Sequence, residues 1–493
     1  MANHAHSAQL AIVGAGPGGY PAAFLAADLG LQVTLIDLEA KPGGVCLNWG
    51  CIPSKTLLHV SRLLTETREA ADWGVEFAAP KIDLDKLRSW KERVVQQLTG
   101  GVAQLARQHK IGFIQGRASF LDASTLKLQK PGGDEEALKF EHAIIATGSR
   151  PATLPRLSLQ SERIMDSTRA LDLNKIPETL LVIGGGYIGL ELGTVYAALG
   201  SQVSVVEMLP GLLPGADRDL VRVLATRLDS VLRSIMLNTT VAEMQETDDG
   251  IRVIFKGETS EAGQVFDSVL VAVGRKPNSG GLGLENTRVE IDQRGFIKVD
   301  AQRRTAEPSI YAIGDVAGEP MLAHKATHEG RVAAEAIAGH QVAYEPRAIP
   351  AVVFTDPEIA WCGLTETQAK EEGRSVTVAR FPWGASGRAT TLGRKDGLTK
   401  LIIDSETEQV LGVGIVGVGA GELIGEGVLA IEMAALAADL ELSIHPHPTL
   451  SETMMEAAEV FFGQSTHVYR PQRRHSNAPR VGLASLDGLE ESG

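Results

Sequence analysis

Residues 10–37 read LAIVGAGPGGYPAAFLAADLGLQVTLID, and this stretch decides the fold. An apolar run over 10–13 leads into a glycine-rich turn, and an Ala-rich helical stretch then extends to about Leu29. A second apolar run over 33–36 ends at Asp37. The order of strand, glycine turn, helix and strand predicts one βαβ unit. The turn has the spacing Gly-x-Gly-x-x-Gly, with its glycines at Gly14, Gly16 and Gly19.

The same pattern returns over 180–207. An apolar run leads into Gly184, Gly186 and Gly189, and a later apolar run ends at Glu207. In both copies the acid follows the first glycine by 23 residues (14 to 37 and 184 to 207). In such a unit the glycines let the backbone approach a pyrophosphate, and the acid accepts hydrogen bonds from the adenosine ribose. One copy alone is a weak signal, because a glycine-rich loop need not bind a ligand, but two copies favour two dinucleotide sites.

Two dinucleotide sites imply an electron relay. Hydride that leaves a nicotinamide needs an acceptor that takes two electrons and passes them on, and a flavin does this. The glycine spacing does not decide which cofactor occupies which site. Two cysteines follow the first unit closely, which favours FAD there and NAD at the second unit. A shorter predicted strand that ends in a glycine follows each of the two units, at Gly148 and at Gly274. We assign Gly148 to the FAD site and Gly274 to the NAD site.

The bulk composition excludes several classes of protein. The chain has 493 residues and a formal net charge of −14, and 44% hydrophobic with 22% charged residues is the balance of a globular protein. The acidic balance argues against nucleic acid as the main partner, because phosphate binding needs clustered Lys and Arg. No segment reads as a signal peptide or a membrane span, so we expect a cytoplasmic protein with no membrane partner.

The cysteine pair is the first chemical motif. Residues 43–55 read GGVCLNWGCIPSK, with Cys46 and Cys51 five positions apart and Lys55 one helical turn further on. Helix N-termini and nearby cations lower the pKa of a thiol, and the thiolate is the reactive form. A redox disulfide is favoured over two alternatives, a zinc site and a pair of inert buried thiols. A zinc site needs further ligands that this pattern does not supply, so we expect no metal. Cys362 stands alone and is predicted to be a core residue.

A histidine motif lies near the C-terminus. Residues 445–452 read HPHPTLSE, and a His followed five residues later by a Glu can form a hydrogen-bonded acid–base pair. The alternative is a Pro-rich connection with surface histidines. On local sequence alone the alternative is favoured.

The string over 43–55 resembles the active site of the pyridine nucleotide–disulfide oxidoreductases, and its wording is similar to the dihydrolipoamide dehydrogenases in particular. The resemblance covers about residues 8–468. It implies that Cys46 exchanges with the substrate and that Cys51 faces the flavin. It also implies that Lys55 pairs with Glu191.

The same resemblance assigns roles in the C-terminal half. It implies that Asp315 is a second flavin contact near the ribityl chain. It also reverses the reading of the histidine motif, with His447 as the acid–base catalyst and Glu452 as its partner. His445 is expected to be a bystander. The sequence leaves open whether the His447–Pro448 peptide bond is cis, which would fix the turn that aims the imidazole.

The resemblance further implies an activity and its partners. The expected reaction is reoxidation of protein-bound dihydrolipoyl groups by NAD⁺, through the disulfide and FAD. The expected partners are a second copy of the chain and the lipoyl domains and acyltransferase core of a 2-oxoacid dehydrogenase or glycine cleavage complex. No lipoyl domain is recognised in the chain, so the lipoyl group should come from another chain. Alternatives are a glutathione-type or mercuric-reductase-like enzyme, or a non-catalytic scaffold of such a complex.

The expected architecture is α/β, with two Rossmann-like dinucleotide-binding domains and a C-terminal α+β dimerisation domain. In that last domain the pattern predicts strands near 351–354, 398–403 and 410–418, and one helix over about 421–440. The predicted segments are 1–152 (first part of the FAD domain), 153–282 (NAD domain), 283–349 (second part of the FAD domain), 350–469 (interface domain) and 470–493 (flexible tail).

Overall fold

The computed structural model of the chain describes residues 6–154, 159–257 and 263–469. The predicted tail over 470–493 lies outside these ranges. Within them, no helix is both long enough and apolar enough to cross a lipid bilayer.

The first βαβ unit forms where the glycine pattern predicts it. Strand β1 (His6–Val13) runs parallel to β2 (Val33–Asp37), and helix α1 (Gly19–Asp28) connects them. The elements that follow are α2 (Gly44–Trp49), α3 (Cys51–Glu69), α4 (Leu84–Gln108), β3 (Gly112–Gln115), β4 (Arg117–Asp122), β5 (Thr125–Gln129), β6 (Glu135–Ile145) and β7 (Ser149–Pro151).

The second βαβ unit repeats the first. Its elements and those around it are β8 (Ile164–Met165), α5 (Ser167–Ala170), β9 (Thr179–Ile183), α6 (Tyr187–Ala198), β10 (Gln202–Val206), α7 (Arg218–Val231), β11 (Ser234–Met236), β12 (Thr239–Thr247), β13 (Gly250–Gly257), β14 (Gln264–Phe266), β15 (Ser268–Val271) and β16 (Arg275–Pro277). Strands β9 and β10 are parallel, with α6 between them in sequence.

The remaining described elements return to the first sheet and then build a third one. They are β17 (Ile310–Ala312), α8 (Ala323–Ile337), β18 (Ala351–Val353), β19 (Glu358–Gly363), α9 (Glu366–Glu371), β20 (Val376–Pro382), α10 (Gly387–Thr391), β21 (Leu398–Asp404), β22 (Val410–Gly417), α11 (Ala420–Glu432), α12 (Ala437–Leu442) and α13 (Glu452–Phe462).

Three larger sheets organise these elements. The first has the order β3-β2-β1-β6-β5-β4, with β17 also pairing in parallel with β6. The second has the order β11-β10-β9-β15-β8 and is parallel. The third, β18-β19-β22-β21-β20, is antiparallel, as expected for an α+β unit. The short ribbon of β7 and β16 joins the segments that lead into and out of the second sheet.

Two deeply buried aromatic side chains, Phe381 and Trp383, lie in the core of the third sheet. Trp383 is fully buried, and a Cβ added at Gly417 would lie 2.3 Å from its ring. Protein interiors are close-packed, so the missing side chain at Gly417 makes the space that the indole fills. This is why a strand of this domain ends in glycine.

The prediction of a single helix over 421–440 is wrong. The chain leaves the helix after Glu432 and passes through Ala434, whose φ is +55°. The next residue, Ala435, accepts a hydrogen bond from Val410 N at 2.9 Å, and Leu436 bridges to Gln409. Backbone pairing with the start of β22 therefore outweighs one more helical turn, and two helices result.

Candidate active site

The first glycine turn is closed by its own acid. Asp37 accepts hydrogen bonds from Ala15 N at 2.5 Å and from Glu39 N at 2.9 Å. Burial raises the pKa of Asp37, and the hydrogen bonds from these N–H groups only partly offset this. Gly14 has a φ of +107°, and a Cβ there would lie 2.2 Å from the carbonyl oxygen of Ala146. Only glycine fits this close approach of two strands.

The other two glycines of this turn differ in purpose. A Cβ at Gly19 would lie 1.8 Å from Gly14 O, so this residue lets helix and turn pack together. Gly16 instead faces Gly44, and a Cβ on Gly44 would come within 2.5 Å of Gly16 Cα. Two bare backbone segments thus meet at one wall of a cavity, where a pyrophosphate can approach them closely.

This cavity has a volume of about 590 Å³ and brings most of the predicted FAD residues together with the redox residues. Its lining includes Gly14, Gly16, Asp37, Gly148, Asp315, Cys46, Cys51, Lys55 and Glu191. Gly19 packs behind it. The acid, the bare backbone and the helix N-terminus of α1 are the features that a bound dinucleotide needs, so the residues present fit FAD.

The second glycine turn repeats the hydrogen bonds of the first. Glu207 accepts from Gly185 N at 2.7 Å and from Leu209 N at 2.9 Å, and it is buried. Gly184 has a φ of +110°, and a Cβ at Gly189 would lie 2.2 Å from its carbonyl oxygen.

The remaining two residues of the predicted NAD set have free space beside their backbone. Gly186 and Gly274 have no neighbour within 4 Å of an added Cβ. The NAD set as a whole lies outside the lining of the cavity described above.

The two cysteines are held as thiols in contact with each other. Cys46 lies in α2, and Cys51 is the first residue of α3. The hydrogen bond that Cys46 donates to Cys51, together with burial, raises the pKa of Cys46. The same hydrogen bond lowers the pKa of Cys51, and Lys55 adds to this against the effect of burial. No disulfide joins the two cysteines in this structure, and the opposite pKa shifts make Cys51 the more readily ionised of the two. The predicted disulfide of the oxidised form stays a prediction.

One carboxylate connects the cysteine helix to two other parts of the fold. Lys55 Nζ lies 2.8 Å from Glu191 Oε2 and 4.5 Å from the ring centroid of Phe354. The other oxygen of Glu191 accepts a hydrogen bond from Phe354 N at 2.9 Å. Glu191 is buried in α6, so this contact fixes α3 against the second nucleotide unit.

Sequence reasoning missed a polar chain that reaches Asp315. Ser149 donates to Asp315 Oδ2 at 2.5 Å, and Arg275 Nε donates to Ser149 Oγ at 2.7 Å. All three line the cavity, as does Tyr187, whose burial raises its pKa to about 12 and keeps the phenol neutral. The repeated strings after Gly148 and Gly274 contained the signal, because both place a basic residue and a proline after the glycine.

The histidine motif forms the predicted hydrogen-bonded pair. His447 Nδ1 lies 2.8 Å from Glu452 Oε1, and Thr449 N donates to Glu452 Oε2 at 2.7 Å. Burial opposes ionisation of Glu452, but these two hydrogen bonds outweigh it and lower the pKa of Glu452. The His447–Pro448 peptide bond is cis.

The motif's two histidines have different surroundings. The His447 side chain is 73% exposed and does not line the cavity of its own chain. His445, for which no catalytic role is predicted, makes structural contacts. Its ring contacts Glu426 Oε1 at 2.7 Å and Ser443 O at 2.8 Å, which tethers the loop to α11.

Two further predictions concern residues away from the cavity. Cys362 is buried in the third sheet, which confirms that it is a core residue. Among the described residues, one set of carboxylates is close enough together to hold a metal ion: Asp217, Asp219 and Glu366. Lys400 Nζ lies 2.6 to 3.2 Å from all three, and Arg380 pairs with two of them, so side-chain cations already occupy the place between these carboxylates.

The chain resembles known proteins over nearly its whole length. Residues 8–330 match the family described as pyridine nucleotide-disulphide oxidoreductase, and residues 349–458 match the dimerisation domain of that family. The dihydrolipoyl dehydrogenase of Haemophilus influenzae is 49% identical over 458 residues, which cover 93% of this chain and 96% of that protein. The dihydrolipoyl dehydrogenase of Geobacillus stearothermophilus is 45% identical, covering 93% and 97% of the two chains.

Solved structures also resemble this chain over nearly its whole length. LpdA from Mycobacterium tuberculosis superposes with a TM-score of 0.85 at 28% identity, covering 92% of this chain and 99% of that one. The HOCl-induced flavoprotein disulfide reductase RclA from Escherichia coli gives a TM-score of 0.81 at 28% identity, with the same coverage. The predicted α/β fold, the oxidoreductase class and the cofactors FAD and NAD are confirmed. The chain belongs to the pyridine nucleotide-disulphide oxidoreductase family.

Proposed function

We propose that this chain is a dihydrolipoyl dehydrogenase that oxidises protein-bound dihydrolipoyl groups and reduces NAD⁺. The observation that carries the proposal is the cysteine pair in the cavity wall, in which the pKa of Cys46 is raised and the pKa of Cys51 is lowered. The curated relatives, at 44 to 49% identity over 93% of the chain, bear this name. When bound, FAD supplies the two-electron relay between the cysteine pair and NAD⁺.

The protein's own groups account for the thiol chemistry. His447 accepts the proton of one substrate thiol, and the resulting thiolate attacks Cys46 Sγ of the disulfide. The bond from the substrate sulfur to Cys46 forms as the Cys46–Cys51 bond breaks, and Cys51 leaves as a thiolate that Lys55 stabilises. The second substrate thiol then attacks the substrate sulfur of the mixed disulfide and displaces Cys46, which takes up the proton that this thiol releases. The lipoyl disulfide is formed, and two electrons remain on the cysteine pair.

The acid–base group has to come from a second subunit. His447 lies outside the lining of the cavity in its own chain, and its segment belongs to the region that matches a dimerisation domain. A two-fold interface makes two equivalent sites, each with the cysteines of one subunit and the His447–Glu452 pair of the other. This supports a homodimer as the working unit.

The partner and the compartment follow from the substrate. Lipoyl groups are carried on other proteins, so we propose docking to the lipoyl domains and acyltransferase core of a 2-oxoacid dehydrogenase or glycine cleavage complex. A reactive cysteine pair in a chain with three cysteines suits a reducing compartment, which supports the cytoplasm.

The decisive experiment compares substrates and nicotinamides. Purified protein should oxidise dihydrolipoamide with NAD⁺ and should not reduce glutathione disulfide with NADPH. Cys46→Ser is the control and should be inactive, since it removes the sulfur that substrate attacks. Turnover of glutathione disulfide with NADPH at a rate above that of dihydrolipoamide with NAD⁺ would identify a glutathione-type enzyme instead.

A further inference from the structure

We propose that Lys325 and Glu329 form a buried clamp that positions Asp315 for FAD and thereby sets how tightly FAD is retained. The inference rests on the proposed FAD contact at Asp315. Neither residue lines the cavity, so each is a positioning residue.

The clamp acts where the chain leaves the first sheet. Ile313 N still makes a sheet hydrogen bond, to Ile145 O at 3.0 Å. Gly314 then turns with a φ of +73°, and a Cβ there would come within 3.0 Å of the Ala326 side chain. The turn points the next residue, Asp315, into the cavity.

Both hydrogen-bonding groups of the Gly314 backbone are taken by side chains of α8. Gly314 N donates to Glu329 Oε2 at 2.6 Å, and Lys325 Nζ donates to Gly314 O at 3.2 Å. Lys325 also donates to Gly318 O at 2.7 Å, so it holds both ends of the short segment that carries Asp315. Buried backbone groups need partners, and Glu329 supplies the one for Gly314 N. Gly314 O accepts from Ala317 N at 2.9 Å as well as from Lys325, so the lysine adds a second bond to this carbonyl.

The charged groups of the clamp are paired with each other and with a further cation. Glu329 is fully buried and contacts Lys325 Nζ at 3.3 Å and Arg303 Nη1 at 2.9 Å. The guanidinium of Arg303 lies 4.8 Å from the Tyr344 ring centroid, which fixes it from the other side. Removing one partner of a buried ion pair leaves the other uncompensated, so either substitution should disturb the turn.

Helix α8 also touches the first glycine turn. Thr327 Oγ1 donates to Pro17 O at 2.8 Å, and a Cβ at Gly330 would lie 2.6 Å from Gly18 O. One helix therefore braces two segments that contact the same cofactor, the pyrophosphate turn and the Asp315 turn. The clamp is the part of this brace that acts on Asp315.

The test measures FAD release from the holoenzyme at 25 °C by the fluorescence of free FAD, together with the melting temperature in excess FAD. Lys325→Met and Glu329→Gln should each release FAD about tenfold faster or more, the effect expected when a hydrogen bond to a charged group is lost. The visible spectrum of the bound flavin should change shape in both. Lys400→Met is the matched control, because it also removes a buried lysine from a carboxylate set, outside the cavity lining. It should lower the melting temperature and leave FAD release at the wild-type rate.

Several outcomes would overturn the clamp. Wild-type FAD release in both clamp variants would do so, and so would equally fast release from Lys400→Met, since general destabilisation would then explain the loss. If neither clamp variant folds in excess FAD while Lys400→Met does, the pair is structural and the inference is wrong. Asp315→Asn tests the FAD contact separately from the clamp. If it releases FAD at the wild-type rate, the contact itself is wrong, whereas the dihydrolipoamide assay tests the proposed activity independently.

Discussion

Lys55 Nζ and Glu191 Oε2 lie 2.8 Å apart, and they act on Cys51 with opposite signs. Lys55 lowers the pKa of Cys51, and Glu191 raises it. The pair therefore tunes the ionisation of Cys51, besides joining α3 to α6.

The first prediction follows from these opposite signs. In the two-electron-reduced enzyme, the long-wavelength charge-transfer band should titrate with ionisation of Cys51. Lys55→Met should move that titration to higher pH and Glu191→Gln to lower pH, each by about one pKa unit, because a close charge shifts a neighbouring pKa by that much or more. Below the shifted pKa the thiol is protonated and the band is lost. Cys51→Ser should lack the band at every pH, and a shift in the same direction for both variants would contradict the assignment.

The second prediction concerns nicotinamide choice. Glu207 directly follows β10, where the 2′-phosphate of NADP would have to lie, so a carboxylate there should repel it. We expect kcat/KM for NAD⁺ to exceed that for NADP⁺ by about a hundredfold, which is about 3 kcal/mol. Glu207→Gln should narrow this gap. Asp37→Asn, at the matching place in the first unit, is the control and should leave the ratio unchanged. Equal kcat/KM values in the wild type would refute the assignment of the second site.

The third prediction tests the shared active site. Cys46→Ser and His447→Gln homodimers should each be nearly inactive. Mixing them under conditions that exchange subunits should restore activity, because a heterodimer contains one site with both an intact cysteine pair and an intact His447–Glu452 pair. Subunit exchange is followed by native mass spectrometry. If heterodimers form and activity does not return, His447 acts within its own chain or does not act.

The fourth prediction concerns the stability of the third sheet. Gly417→Ala places a methyl group 2.3 Å from the Trp383 ring, and its φ is already +153°. We expect a loss of about 3 kcal/mol in the free energy of unfolding, from overpacking added to backbone strain. Gly419→Ala is the control, since its φ is +75° with nothing within 4 Å of an added Cβ, and it should cost about 1 kcal/mol. Denaturant titration measures both, and equal losses would mean that packing on Trp383 contributes nothing.

The features that sequence predicted are those encoded over short distances. The glycine turn at Gly14 and its acid Asp37 lie within one βαβ unit, so spacing alone specifies their geometry. The helix break at Ala434 was missed because it depends on pairing with Val410, which no local pattern reveals. The contact between Ser149 and Arg275 joins residues 126 positions apart. The repeated strings after Gly148 and Gly274 marked both segments, but their similarity does not show that the two segments contact each other.

The acids that close the two glycine turns have a consequence for cofactor affinity. Asp37 and Glu207 each accept one hydrogen bond from their glycine turn and one from the N–H two positions after the acid itself, so contacts within the protein order each turn. A dinucleotide therefore meets a loop that folding has already ordered, and little conformational entropy is lost when it binds. The duplicated βαβ unit is thus a preorganised dinucleotide site that occurs twice. One copy serves FAD, which stays bound, and the other serves NAD, which must dissociate after each turnover. Any difference in residence time between the two cofactors therefore has to come from residues outside the glycine turns that cover the bound cofactor.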